Sequence, residues 1–162
     1  MASMNRELST VVETATERTR GGADAPGAPH VHLAHIRFAD LDPLNHVNNV
    51  RMLTYLEDAR ISFLQWDAAD GDGRLFGGLV VARHEVDYVH PLLLRREPVR
   101  VETRVTEVRN ASFSLAYEIR DDDRVYVRAR SILVGFDLET QGVRRLTDPE
   151  RAYLHTHLTP DA

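Results

Sequence analysis

The sequence predicts an α+β domain in which one long helix lies across a single sheet of about five antiparallel strands. Three observations carry this. Apolar residues recur from Met52 through Leu56, Ala59 and Phe63 to Trp66 at steps of 4, 3, 4 and 3, the period of a helix face. Further along, apolar and polar residues alternate in the strand period. Two connections between those later segments are so short that their neighbours must run antiparallel.

Residues 31–38 read as the first strand. Residues 48–66 form the helix, with Leu53 and Leu64 beside the apolar stripe; at ~1.5 Å per residue it is about 28 Å long. Residues 67–73 are a polar, glycine-containing loop, and residues 79–90 a second strand. In residues 99–108, Val99, Val101, Thr103 and Val105 alternate with Arg100, Glu102, Arg104 and Thr106. After a turn at Asn110 and Ala111, Phe113, Leu115, Tyr117 and Ile119 alternate with Ser114, Ala116 and Glu118. Residues 121–124 turn the chain again into a last long strand, residues 125–137. Thr147-Asp148-Pro149-Glu150 has the form of a capping box with proline in the first turn, which predicts a terminal helix. The helix covers one sheet face. The other, with Arg100, Arg104 and Glu118, is solvated or meets another copy.

The 162 residues make one folded domain, residues 30–162, behind a tail and linker at residues 1–29. The tail shows a weak helical pattern at Leu8, Val11, Val12 and Ala15 and ends in GGADAPGAP, a flexible composition. It has no apolar signal core, and Glu7, Glu13 and Glu17 argue against a transit peptide; the chain is read as cytoplasmic. No apolar run approaches the ~20 residues of a membrane span. A net charge of −5 with interspersed signs argues against nucleic acid as a partner. The absence of cysteine excludes a thiol nucleophile, a disulfide framework and a thiolate metal site. His30 and His32 share a strand face from which His35 points away, and no phosphate loop accompanies the DxD of Asp40 and Asp42, so no metal is expected.

Chemistry concentrates in RFADLDPLNHVNNV, residues 37–50. Asp42 stands at a tight turn just before the helix. A carboxylate there can act as base or nucleophile, and the unpaired N–H groups of the first helical turn can hold an oxyanion. That pairing points to acyl transfer or hydrolysis. Asp42 is equally a residue that caps turns, and Asn48 and Asn49 are residues that cap helices. Glu57 and Arg60 lie three apart and pair on one helix face.

This pattern resembles the hotdog-fold acyl-CoA thioesterases of the 4-hydroxybenzoyl-CoA thioesterase-like group. The resemblance rests on Asp40-Leu41-Asp42, on Asn45-His46-Val47-Asn48-Asn49, on Glu57-Asp58-Ala59-Arg60, and more weakly on VDYVHP at 86–91, RNASFSLAYEI at 109–119 and Gly135-Phe136-Asp137. It implies a helix wrapped by a curved sheet, homodimers or homotetramers built by edge-to-edge pairing, and acyl sites at the dimer interface. Asp42 is then the catalytic carboxylate, as nucleophile or general base, and the backbone N–H groups near Asn48 and Asn49 are the oxyanion contacts. Met52, Tyr55 and Leu56 are expected to shape the acyl pocket with His46, while Gly77 and Gly78 allow close approach of ligand or strand. Asp40, Asn45, Glu57 and Arg60 are expected to support the site from behind. Asn45 stands where the family usually has glycine, so it should take a positive φ, and Met52 replaces a frequent tyrosine. Substrates are acyl-CoA or acyl-carrier-protein thioesters; coenzyme A enters only as part of the substrate and no cofactor is expected. A non-catalytic acyl-binding module of the same fold is the alternative from another class.

Overall fold

The computed structural model describes residues 27–68 and 75–159. Residues 1–26 of the expected tail and residues 69–73 of the expected loop lie outside the described residues. In chain order the elements are β1 (His30–Ala34), a 3₁₀ turn (Phe38–Asp40), helix α1 (Asn49–Ile61), a π-helical segment (Ser62–Trp66), β2 (Leu79–Tyr88), β3 (Val99–Val108), β4 (Ser112–Arg120), β5 (Val125–Asp137), β6 (Gly142–Val143) and α2 (Asp148–Thr156). The sheet runs β1-β3-β4-β5-β2, every pair antiparallel, with β6 added at the end of β5.

The α+β class and the strands at residues 99–108 and 125–137 match the sequence reading. Three details differ. The first strand stops at Ala34, because Arg37 turns its main-chain N–H onto the Asp40 side chain and the chain closes a 3₁₀ turn. The long helix is 13 regular residues followed by five in π geometry, where the Asp67 N–H reaches back to the Ser62 carbonyl. The wider π turn carries an extra residue, shifting the phase of the apolar stripe. Phe63 and Leu64 therefore both bury, while Trp66, expected in the stripe, is 66% exposed. The Tyr153 hydroxyl of α2 donates to the Phe63 carbonyl within that segment at 2.9 Å. The two-residue β6 was not anticipated.

The core lies between α1 and one sheet face. Met52, Leu56, Ala59 and Phe63 pack against Val99, Val101 and Val105 of β3 and Leu115, Tyr117 and Ile119 of β4. The opposite face carries ion pairs among Arg100, Glu102, Arg104, Glu118, Arg120 and Arg128. β2 is an edge strand. On the core-facing side it sets Tyr88, Val86 and Val81 opposite Val127, Ala129 and Leu133, yet Tyr88 and Val81 remain exposed while their β5 partners are buried. α2 starts in the expected capping box, with Thr147 accepting from the Glu150 N–H and the Glu150 carboxylate accepting from the Thr147 N–H. Arg144 grips the same buried carboxylate at 2.7 and 2.9 Å.

Candidate active site

Residues 41–47 form a tight hairpin ahead of α1. Leu41 and Val47 bridge antiparallel, the Asp42 N–H donates to the His46 carbonyl at 2.8 Å, and the Asn45 N–H returns to the Asp42 carbonyl at 3.0 Å. Asn45 takes φ +59°, the left-handed conformation that asparagine tolerates better than most side chains. The turn organises Asp42 directly. Its Oδ1 accepts from the Leu44 N–H at 2.8 Å and the His46 N–H at 3.2 Å. Its Oδ2 has no hydrogen bond among the described residues, so one carboxylate oxygen is held and the other is available.

The helix start follows at once. The Asn48 side chain caps the Val50 N–H at 2.9 Å, and the Asn49 side chain also reaches it at 3.1 Å. The Asn48 N–H donates to the Asp40 carbonyl at 2.8 Å. The Asn49 N–H has no acceptor among the described residues. Of the two backbone donors expected from sequence, one is thus engaged within the chain and the other is open at the positive end of the helix.

Behind the hairpin sits Asp40, fully buried. Arg37 binds it three ways, through its main-chain N–H at 3.0 Å, Nε at 3.1 Å and Nη2 at 2.7 Å, and the Tyr55 hydroxyl donates at 2.8 Å. The Arg37 hydrogen bonds, helped by that from Tyr55, outweigh burial and lower the Asp40 carboxyl to about 2. Burial and the bond to Asp40 push the Tyr55 phenol well up.

The remaining expected residues are placed as follows. Met52 and Leu56 are buried in the core. Tyr55, expected at the acyl pocket, is directed onto Asp40. His46 is half-buried and its backbone bridges to Leu93. Glu57 and Arg60 stand 3.7 Å apart on α1, away from the hairpin. Gly78 supports close approach of backbone: a Cβ there would lie 2.0 Å from the Phe136 carbonyl oxygen. Gly77 is exposed, and a Cβ there would meet only Arg144 Nη2, at 3.4 Å. One contact was missed. Tyr88 donates its hydroxyl to the Asn49 carbonyl at 3.2 Å, joining β2 to the helix start. Its only sequence signal was its place in the VDYVHP segment. Among the described residues no group of His, Asp and Glu is placed to hold a metal ion, and no helix is long and apolar enough to cross a membrane.

The model of the Thioesterase-like superfamily matches residues 36–155, which include the hairpin, the helix and the whole sheet from β2 onward. The chain belongs to this superfamily. It is a thioester hydrolase by family. The fold is shared with a predicted thioesterase from Bacillus stearothermophilus, 25% identical over 83% of this chain and 100% of that one, with a TM-score of 0.72. A thioesterase from Thermus thermophilus, solved with coenzyme A and zinc, is 31% identical over 80% of this chain and 94% of its own, with a TM-score of 0.69. A 1,4-dihydroxy-2-naphthoyl-CoA thioesterase from Synechocystis, 18% identical over 77% of this chain and 94% of its own, shares the fold at a TM-score of 0.67. No curated protein matches the sequence.

Proposed function

We propose that this chain hydrolyses acyl-CoA thioesters, with Asp42 as nucleophile or general base and the Asn49 N–H as oxyanion donor. The observation that carries the reading is Asp42 Oδ2, without a hydrogen bond among the described residues, on a hairpin followed directly by Asn48, which caps a helix whose first N–H has no acceptor among the described residues. As a base, Asp42 takes a proton from water, and the hydroxide attacks the thioester carbonyl. As a nucleophile, Oδ2 attacks that carbon itself to give a mixed anhydride that water then cleaves. Both routes put negative charge on the carbonyl oxygen, where a helix-terminal N–H stabilises it by roughly 3–4 kcal/mol. Collapse expels the coenzyme A thiolate, which leaves as the free thiol after taking the proton held by Asp42 in the base route or one from water in the nucleophile route.

The preference for coenzyme A draws on the Thermus thermophilus relative, which was solved with that ligand. The arrangement is read as a hotdog fold that works as a homodimer: β2 ends the sheet, and its exposed Val81 and Tyr88 lie where a second copy would cover them. The test is thiol release by the full chain from short, long and aromatic acyl-CoAs and from acyl-carrier-protein thioesters. Turnover of acyl-CoA supports the reading. Turnover of carrier-protein thioesters alone moves the substrate assignment to that class, and binding without turnover of either would make the chain an acyl-binding module.

A further inference from the structure

We infer that Tyr55 is a positioning residue of the thioester site, acting through Asp40 on the helix start. The inference rests on the reading of Asp42 and Asn49 given above and deepens it. The family resemblance places Tyr55 with the pocket-shaping residues, but the structure gives it another task. The side chain is 5% exposed, and its hydroxyl donates to Asp40 Oδ2 at 2.8 Å. Asp40 in turn joins three segments. Its carboxylate holds the backbone and guanidinium of Arg37, just before the hairpin. Its carbonyl accepts from the N–H of Asn48, the helix cap that directly follows the hairpin. Through Tyr55 it grips the second turn of α1. Arg51, on the first turn, comes no nearer than 3.9 Å.

Tyr55 is therefore the helix residue that hydrogen-bonds the base of the hairpin. A buried carboxylate keeps a fixed set of donors, since a lost donor leaves charge uncompensated. The bond thus sets where the body of the helix stands relative to the hairpin that carries Asp42. Oxyanion stabilisation needs the Asn49 N–H at the carbonyl oxygen and the attacking oxygen over the face of the same carbonyl carbon, each placed within about half an ångström. A phenol that never touches substrate governs that alignment.

The test compares the full-length wild type with Tyr55→Phe, Asp40→Asn and the double variant on one good acyl-CoA and on a chain-length panel. Phenylalanine keeps the ring and its packing and removes only the donor. A positioning role predicts a kcat about tenfold lower for Tyr55→Phe, a KM and chain-length profile close to wild type, and a shifted amide NMR signal for Asn49. It also predicts that the double variant is no slower than the slower single variant. An unchanged kcat in folded Tyr55→Phe would overturn the inference and leave a stability role. A changed KM together with a new chain-length preference would also overturn it, returning Tyr55 to the acyl pocket. If Asp40→Asn does not fold, the Tyr55→Phe comparison decides alone. Failure of the underlying reading shows separately, as full activity in Asp42→Asn.

Discussion

The Asn48 N–H donates to the Asp40 carbonyl at 2.8 Å, so the first aspartate of the DxD pair consumes one of the two donors that the helix start offers. The Asn49 N–H has no acceptor among the described residues, and the proposed mechanism assigns it to the substrate oxygen. This can be tested by removing a backbone N–H without breaking the helix. Proline is tolerated at the first helical position, and Asn48, at φ −58° and ψ 133°, already has the conformation that a following proline imposes. Asn49→Pro should keep the circular dichroism spectrum and lower kcat by roughly 10²–10³-fold, the cost of one oxyanion donor elsewhere.

The two neighbouring glycines should respond differently. A methyl on Gly78 meets the Phe136 carbonyl oxygen at 2.0 Å, in the backbone of the adjacent strand, and that strand cannot yield without breaking the ladder. Gly77→Ala meets only Arg144 Nη2, at 3.4 Å, the edge of ordinary van der Waals contact. Thermal unfolding should show Gly78→Ala strongly destabilised or unfolded and Gly77→Ala within about 1 kcal/mol of wild type.

Acid should weaken the fold through its buried carboxylates. The Asp40 carboxyl, held at about 2 against 3.8 for the free side chain, contributes stability that is fully present above pH 3.8 and is lost as pH falls through 2. At about 1.4 kcal/mol for each pH unit between those values, Asp40 accounts for roughly 2 kcal/mol. Glu150 acts in the same direction: burial raises its carboxyl, but Arg144 and the Thr147 N–H more than offset this. Urea unfolding as a function of pH should show stability falling below about pH 4, with a shallower fall in Asp40→Asn.

The Arg144–Glu150 pair is structural and remote from the hairpin. Glu150 is 1% exposed, so Arg144→Met strands a buried charge. A loss of about 3 kcal/mol in denaturant unfolding, with kcat unchanged at temperatures where the variant is folded, is the expected outcome.

The strands and the hairpin were legible because their signals are local. Alternation marks residues 99–108 as a strand, and Asn45, at the position where the family usually has glycine, takes the expected positive φ. What sequence missed depends on contacts distant along the chain. No short turn ties β2 to β5, so nothing local announces their pairing. The π segment owes part of its support to Tyr153, 90 residues beyond Phe63. Helical period places Tyr55 facing inward without saying that its hydroxyl meets a carboxylate 15 residues back. Tyr88 reaches Asn49 across 39 residues. The availability of a single N–H at the helix start depends on which carbonyl the hairpin brings to Asn48, and no spacing rule reveals that.

The most direct test of the account is steady-state thiol release by wild type and Asp42→Asn on the best acyl-CoA substrate, with circular dichroism and sedimentation confirming the same fold and assembly. Asparagine keeps an Oδ1 to accept from the Leu44 and His46 N–H groups, so the turn should hold while the carboxylate is gone. The account predicts that kcat/KM falls by at least about 10²-fold. Activity equal to wild type in a folded Asp42→Asn would contradict it and remove Asp42 from the chemistry.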